Sequence, residues 1–351
     1  MDAAAPVVPL DSTFDPDDWH RLAQHWHAVA LGSEVGAAPV KATLLDEQLV
    51  LYRFAGELVA ARDVCPHRGV PLSMGFSDGE GVVCPYHGLR FGAGGRCNRI
   101  PANPNQAIPG KMKLRSYAVV ERYGLVWVCL ARPPLQPGEQ ADIPAMPHWD
   151  DAGFQQIVCP GFDIAGSAGR QLEGFIDVAH FAWIHTGTFA DPNNQEVPAY
   201  TTSETPSGFN ADYLSSVGNY PIGVDGKDPT PPGFQWLRHF EVHLPFTATL
   251  TIHFPTPGQR LVIMNAASPV SAHRTRLFVP IARNFDTDLP VEDVHAFNLR
   301  VFEEDRAMVE SQKPEYLPLD PLLEVHIPAD RSSIAYRRAL RGKGYSDFFL
   351  R

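Results

Sequence analysis

Two short pairs, Cys65-Pro66-His67 and Cys84-Pro85-Tyr86-His87, are separated by sixteen residues in a stretch crowded with glycine and proline. Two thiolates can hold one iron and two neutral imidazoles another, which is the donor set of a mixed-ligand [2Fe–2S] cluster. Imidazole in place of thiolate removes negative charge and raises the reduction potential. Tetrahedral zinc accepts the same residue types. Zinc modules, however, space their ligands C-x2-C or H-x3-H rather than pairing one Cys with one His in both arms. Pro66 and Pro85 fix φ just after each cysteine, and Gly69 and Gly88 lie where backbone N–H groups are expected to approach sulfide closely. Cys97, Cys129 and Cys159 have no ligand-like neighbours, and an odd total of five argues against a secreted disulfide framework.

A second group follows at Glu173, Asp177, His180 and His185, inside a stretch that reads as a helix from about 168 to 185. At about 100° per residue Asp177 and His180 share a face, with Glu173 one turn earlier. His185 falls roughly 140° round from His180, so the helix must widen or fray before both imidazoles can meet one metal, and Gly187 makes fraying feasible. Two histidines beside Phe181, Trp183 and Ile184 also fit ordinary helix packing. Downstream of an iron–sulfur motif and beside an acidic face, a metal site is the better reading. Asp177 suits a role holding a ligand imidazole's N–H.

A 2-His-1-carboxylate iron site needs a third ligand. The long helix expected from Pro290 to about Lys313 offers Glu303, Glu304, Asp305 and Glu310. Asp305 falls inside the apolar stripe of Val294, Phe297, Val301 and Met308, and a carboxylate there is costly unless paired or bound to metal. Asp305 is therefore the expected ligand and Glu304 the reserve. A buried salt bridge from Asp305 to Arg331 or Arg337 is the competing explanation.

The elements that must position these groups are short strands first. Runs at 42–45, 49–54 and 58–61 precede the first Cys/His pair, 81–83 feeds the second, and 89–91 leads away. A hairpin at 117–121 and 125–130, turning near Tyr123-Gly124, completes a small antiparallel domain with both pairs at loop tips. The run Arg132-Pro-Pro-Leu-Gln-Pro-Gly-Glu139 reads as a linker, giving domains 1–135 and 136–351. Gly92-Ala-Gly-Gly95 is not a dinucleotide loop, because the register fails at Cys97 and no long helix follows, so NADH is expected to bind another protein. Beyond the linker, helix alternates with strand-like runs at 240–244, 248–254, 261–267 and 275–281. The fold class is α+β: an all-β N-terminal domain, then a helix-decorated antiparallel sheet.

Taken together, Cys65-x-His67, Cys84-x2-His87, Glu173-x3-Asp177-x2-His180-x4-His185 and a late Asp305 resemble the oxygenase component of Rieske non-haem iron oxygenases, over most of the chain. The compact length and the Glu303-Glu304-Asp305-x4-Glu310 run resemble the vanillate demethylase, toluenesulfonate methyl-monooxygenase and dicamba demethylase group. High-potential Rieske proteins of respiratory chains carry an extra cysteine in each loop, where this chain has Val70 and Tyr86, so a potential toward the lower end of the Rieske range, whose floor is about −150 mV, is expected. The resemblance implies a [2Fe–2S] cluster on Cys65, His67, Cys84 and His87, and mononuclear Fe²⁺ on His180, His185 and Asp305. It also implies a homotrimer in which His87 of one subunit faces Asp177 of its neighbour, which relays the electron to the iron held by His180, His185 and Asp305. A separate flavin and iron–sulfur reductase would supply electrons from NADH. The family often has asparagine or another polar residue where Glu173 stands, leaving Glu173 either near the iron or as polar support.

The implied reaction is O₂-dependent hydroxylation or O-demethylation of a small aromatic acid or related compound. Ring cis-dihydroxylation is the sibling alternative, and a Rieske electron carrier with a noncatalytic C-terminal domain is the alternative from another class. Asn265, His253 and Phe297 are candidate substrate-wall residues, although ordinary packing explains each as well. A formal net charge of −11 disfavours nucleic acid as a partner. Arg238, Arg274 and Arg276 remain candidates for local contacts to an anionic substrate. With no basic start followed by an apolar segment, and no run of membrane-spanning length, a cytoplasmic protein without a membrane partner is expected.

Overall fold

The computed structural model describes residues 6–136, 138–216, 218, 230–320 and 322–347. Pro137 of the proline-rich run and the first five residues therefore lie outside the description. The chain divides into two compact units. One comprises residues up to Ile143 together with 268–271, and the other runs from Pro144 to Ala267 and onward from Ala272.

The first unit holds a six-stranded antiparallel sheet in the order His27–Leu31, Leu125–Cys129, Ser116–Arg122, Glu57–Arg62, Glu47–Phe54, Val40–Leu44. Three of its hairpins turn on two residues with positive φ: Leu45-Asp46, Ala55-Gly56 and Tyr123-Gly124. Such turns match the twist of the flanking strands. The first takes in Leu45, the last residue of the run expected as strand at 42–45. Leu45 tolerates φ 52° because its side chain is fully buried and its carbonyl accepts from the Trp19 indole N–H at 2.8 Å. A helix α1, Pro16–Leu22, capped by the Asp15 carboxylate, brings that indole in. A smaller four-stranded sheet, Phe76–Ser77, Val82–Val83, Arg90–Phe91 and Cys97–Arg99, carries the second Cys/His loop between its middle strands.

The second unit is built on a nine-stranded sheet whose main path runs Gln155–Val158, Pro280–Arg283, Arg260–Ser271, Thr247–His253, Trp236–His243, Gly208–Ser215, Thr201–Thr205. The strand expected at 275–281 is two strands, Arg274–Phe278 and Pro280–Arg283, broken just before Pro280, which cannot donate to a ladder. Helices α2 (Ala168–Ile176), α3 (Phe181–Ile184), α4 (Val291–Ser311) and α5 (Arg331–Gly342) complete it. Strand Trp236–His243 alternates buried and half-buried residues along its length. Its buried face takes α2 and α3: Phe175 packs edge-on against Phe240 at 6.1 Å, and the Arg238 guanidinium lies 5.4 Å from the Phe181 ring. The α+β class expected from the sequence is the class observed.

Candidate functional site

In the first unit the two Cys/His loops are built alike. The Cys65 N–H donates to the Val70 carbonyl at 2.9 Å and the Gly69 N–H to the Cys65 carbonyl at 2.9 Å. The Cys84 N–H donates to Leu89 at 2.8 Å and the Gly88 N–H to Cys84 at 3.0 Å. Gly69 and Gly88 hold φ of 76° and 69°, which only glycine adopts freely. Their N–H groups close the loops onto carbonyls and do not reach toward sulfur as the sequence suggested. The backbone N–H groups of His67 and Arg68 approach the Cys65 sulfur instead. Asp63, buried beneath the loop, accepts from the Ser73 N–H at 2.8 Å and ties the loop to the segment after it.

Cys65 and Cys84 are each 2 % exposed, whereas His67 and His87 are exposed, with ring centroids 4.6 Å apart. Burial pushes the Cys65 thiol up to about 11, and the neighbouring Cys84 thiol adds to the effect. Two unpaired cysteines side by side in a core, beneath two facing imidazoles, form a two-sulfur, two-nitrogen donor set. It suits a cluster whose sulfur-ligated iron lies inward and whose imidazole-ligated iron lies outward.

In the second unit, the helix expected to continue to His185 ends at Ile176. Ser167 caps α2 at its start, and Asp177 closes it in extended conformation, φ −74° and ψ 139°. The chain then re-enters helical geometry at His180, whose carbonyl accepts from the N–H groups of Trp183 and Ile184 at 2.9 Å. A 3₁₀ turn at 185–187 completes the motif. This break brings the two imidazoles together where one regular helix would hold them apart.

His180 Nε2 and His185 Nε2 lie 3.0 Å apart. Asp305 Oδ1 of α4 stands 3.5 Å from the first and 3.1 Å from the second. Among the described residues these three form the group with atoms close enough to share one metal ion, all within 4.8 Å. Each imidazole presents its other nitrogen to a carboxylate: His180 Nδ1 to Asp177 Oδ2 at 3.0 Å, and His185 Nδ1 to Glu304 Oε2 at 2.9 Å. With both Nδ1 hydrogens donated outward, both Nε2 lone pairs and the Asp305 oxygen point at one place. Three electron-pair donors so arranged repel one another unless a cation lies between them, and the set fits a metal.

Glu304, the reserve ligand, thus sits behind His185, where it also accepts from the Thr188 hydroxyl at 2.7 Å. Gly187 permits this, since a Cβ there would meet Glu304 Oε1 at 2.8 Å. Burial would raise the Asp177 carboxyl, but His180 and the N–H groups of Ala179 and His180 hold it below the usual range.

The buried face of α4 differs from the stripe read from the sequence. Asn298 and Val309 are its buried residues, and Met308 is 48 % exposed. Asp305 lies between Asn298 and Val309 on that face. Arg337 does not pair with it; its guanidinium grips Glu173 at 2.6 and 2.8 Å and Glu324 at 2.6 Å, while Arg331 is exposed. Arg170 joins the network through Glu173 at 3.3 Å and Glu324 at 2.5 Å. Glu173 is therefore polar support that locks α2 to α5, not a group at the His180–His185–Asp305 cluster.

Asn265 is 1 % exposed, and among the described residues neither its carbonyl oxygen nor its amide nitrogen has a hydrogen-bond partner. It pairs with Ala248, in register with Val242, on the sheet face covered by α2 and α3. His253 lies on the opposite face beside His239, so the sheet separates it from Asn265 and from the imidazole pair. Phe297 is half-buried on α4, two turns before Asp305. Of the arginines singled out, Arg238 is fully buried, Arg276 pairs with Asp163 at 3.5 Å and Arg274 is exposed. Thr188 and Glu324 carried no sequence signal, being isolated residues in loops. Asn298 could have been found as a polar residue two turns from Asp305 on the same helical face.

No described helix is long and apolar enough to cross a membrane. Residues 25–118 match the Rieske [2Fe–2S] domain, and residues 165–344 match the vanillate O-demethylase oxygenase C-terminal domain. The methylxanthine N1-demethylase NdmA of Pseudomonas putida is 34% identical over 331 residues, covering 93% of this chain and 90% of that protein. A vanillate O-demethylase oxygenase subunit from Pseudomonas sp. (strain HR199 / DSM 7063) is 26% identical, covering 90% and 92%. The structure of NdmA with caffeine superposes with a TM-score of 0.78 at 33% identity, over 93% of this chain and 92% of that one. These matches span both units and include the segments that hold the Cys/His loops and the imidazole–carboxylate cluster. The chain belongs to the Rieske oxygenases, as an oxygenase component of the vanillate O-demethylase type.

Proposed function

We propose that this chain removes methyl groups from small aromatic or heteroaromatic compounds, by the balance methylated substrate plus O₂, NADH and a proton to demethylated product, formaldehyde, NAD⁺ and water. The first unit is the cluster domain, with Cys65, His67, Cys84 and His87 as ligands. The second is the catalytic domain, with His180, His185 and Asp305 as ligands of Fe²⁺. The observation that carries this reading is the convergence of His180, His185 and Asp305 in a chain that also bears the Cys/His loops. Bound iron would activate O₂ with electrons stored in the cluster.

The chain's own residues do the rest. Asp177 and Glu304 hold the imidazoles in the tautomer that turns Nε2 inward. Asn265, with its acceptor and donors open, would orient a ring carbonyl or amide of the substrate; Phe297 would pack beside it. A ring carbonyl is a group that a methylated purinedione has and a plain arene lacks. Asp177, hydrogen-bonded to His180, would bridge to His87 of a neighbouring subunit in a homotrimer, so that electrons cross between the two metal sites through that link. In support, His87 is exposed and the Asp177 carboxylate borders a cleft of about 240 Å³. Oxygenase components of this family work with reductases, and the reductase here would be the flavin and iron–sulfur type, in the cytoplasm.

The test is turnover of methylxanthines and methoxybenzoates with NADH and a reductase of a vanillate demethylase system. One formaldehyde for each substrate and each O₂ consumed is expected. A cis-diol product would favour ring dihydroxylation, and absence of coupled turnover on both classes would contradict demethylation.

A further inference from the structure

The first unit carries a charge pattern that the reaction itself does not require. From Gly81 to Val120, forty consecutive residues contain six Arg or Lys and no Asp or Glu, in a chain with 29 basic against 40 acidic residues. Arg90 is neutralised by Asp78 and Glu80 from just outside that stretch. Several of the others gather round a groove of about 600 Å³, lined by Arg96, Lys113, Arg115, Arg132, Leu114 and Tyr117. Arg96 and Lys113 face each other across an isolated antiparallel bridge, both exposed, and no described carboxylate pairs with either. Arg132 is held by Asp142 at 2.7 and 3.1 Å, and the Arg115 guanidinium lies 5.9 Å from the Tyr117 ring. At the base of the groove Leu114 is 3 % exposed and belongs to the same packed core as Cys65, Cys84 and Cys97. The groove and the cluster thiols therefore share one body of packed side chains.

We propose that this groove docks an acidic face of the reductase's iron–sulfur domain, so that electrons enter from the buried cysteine side while the exposed imidazoles stay free to pass them on. The proposal rests on the reading of the chain as an oxygenase subunit supplied by a reductase. Charge complementarity selects the occupant. The lining cations come from three separate segments of the chain, Arg96, Lys113 with Arg115, and Arg132, and two of them, Arg96 and Lys113, stand exposed on one bridge, which suits an acidic protein surface.

The test titrates the reductase of a vanillate demethylase system into the cluster-loaded protein by calorimetry, and follows bleaching of the oxidised cluster by reduced reductase in stopped flow. Ionic strength is varied from about 0.01 to about 1 M, over which the screening length falls from about 30 to about 3 Å. Arg96→Glu with Lys113→Glu should weaken Kd and slow cluster reduction by about tenfold or more at low salt, with the gap closing at high salt. Arg341→Glu with Lys343→Glu, an equal change of net charge in the other unit, should change either quantity by less than about twofold. Dithionite should reduce all three proteins at one rate with unchanged visible spectra, and phosphate at matched ionic strength should leave Kd unaltered. Equal Kd for the groove variant and the wild type, equal losses in both double variants, specific competition by phosphate, or no binding by the wild type at low salt would each overturn the docking site. Failure of demethylation itself appears elsewhere, as missing formaldehyde from chemically reduced, substrate-bound protein.

Discussion

His180 and His185 each donate an Nδ1 hydrogen to a carboxylate, and that arrangement determines which nitrogen is left to act. The sequence pointed to Asp177 as such a partner, through a helical face that does not exist; the contact survives because the chain bends back at Asp177 in extended geometry. Glu304 shows what one residue of register decides. One position before Asp305, it reaches the far nitrogen of His185 and not the side facing His180. Glu304→Gln should keep the hydrogen-bonding shape but lose the charge, and weaken mononuclear iron binding by about 10- to 100-fold with the cluster spectrum unchanged. Iron titration of the metal-depleted second site would check this, and unaltered affinity would show that Glu304 does not tune His185. Asn265 was legible only as a polar residue on an apolar strand; its two open valences needed the packed sheet to become visible.

Among the elements, the hairpins and sheet strands were readable because period-two alternation and turn residues are local signals. The interruption between α2 and α3 was not, because composition favours helix throughout 168–185 and the break depends on tertiary partners. One is the Arg170–Glu173–Arg337–Glu324 network, which fixes the end of α2 against α5. Removing one member of a buried ion pair leaves its partner's charge uncompensated. Glu173→Gln should therefore cost about 3–5 kcal/mol in chemical denaturation, and a loss below about 1 kcal/mol would show that the network does not hold the helix. On the opposite sheet face the Glu241 and Asp212 carboxylates hold the His239 imidazole up to about 9, above its ordinary 6.5. Because the folded value is the higher one, the protonated ring adds stability below 6.5 and the contribution is lost as pH rises through about 9. The stability gap between wild type and His239→Gln should be widest at acidic pH and close above about pH 9 in urea unfolding. A gap that does not vary with pH would contradict the ion pair.

At the scale of the whole molecule, two units each gather one donor set from residues adjacent in sequence, the Cys/His loops in one and the His180–His185 pair in the other. Locality made the Cys/His loops legible from spacing, whereas the His180–His185 pair, badly spaced for one regular helix, was legible through the acidic face beside it and the motif upstream. Asp305 comes from 120 positions beyond His185, and only the cost of a carboxylate on a buried helical face identified it. The central claim is that one polypeptide holds two different iron centres. It is tested most directly by counting iron and acid-labile sulfide in anaerobically loaded wild type and in Asp305→Ala. About three irons for every two sulfides are expected in the wild type, and about two for two in the variant, with the same visible cluster spectrum. Equal ratios in the two proteins would contradict the claim.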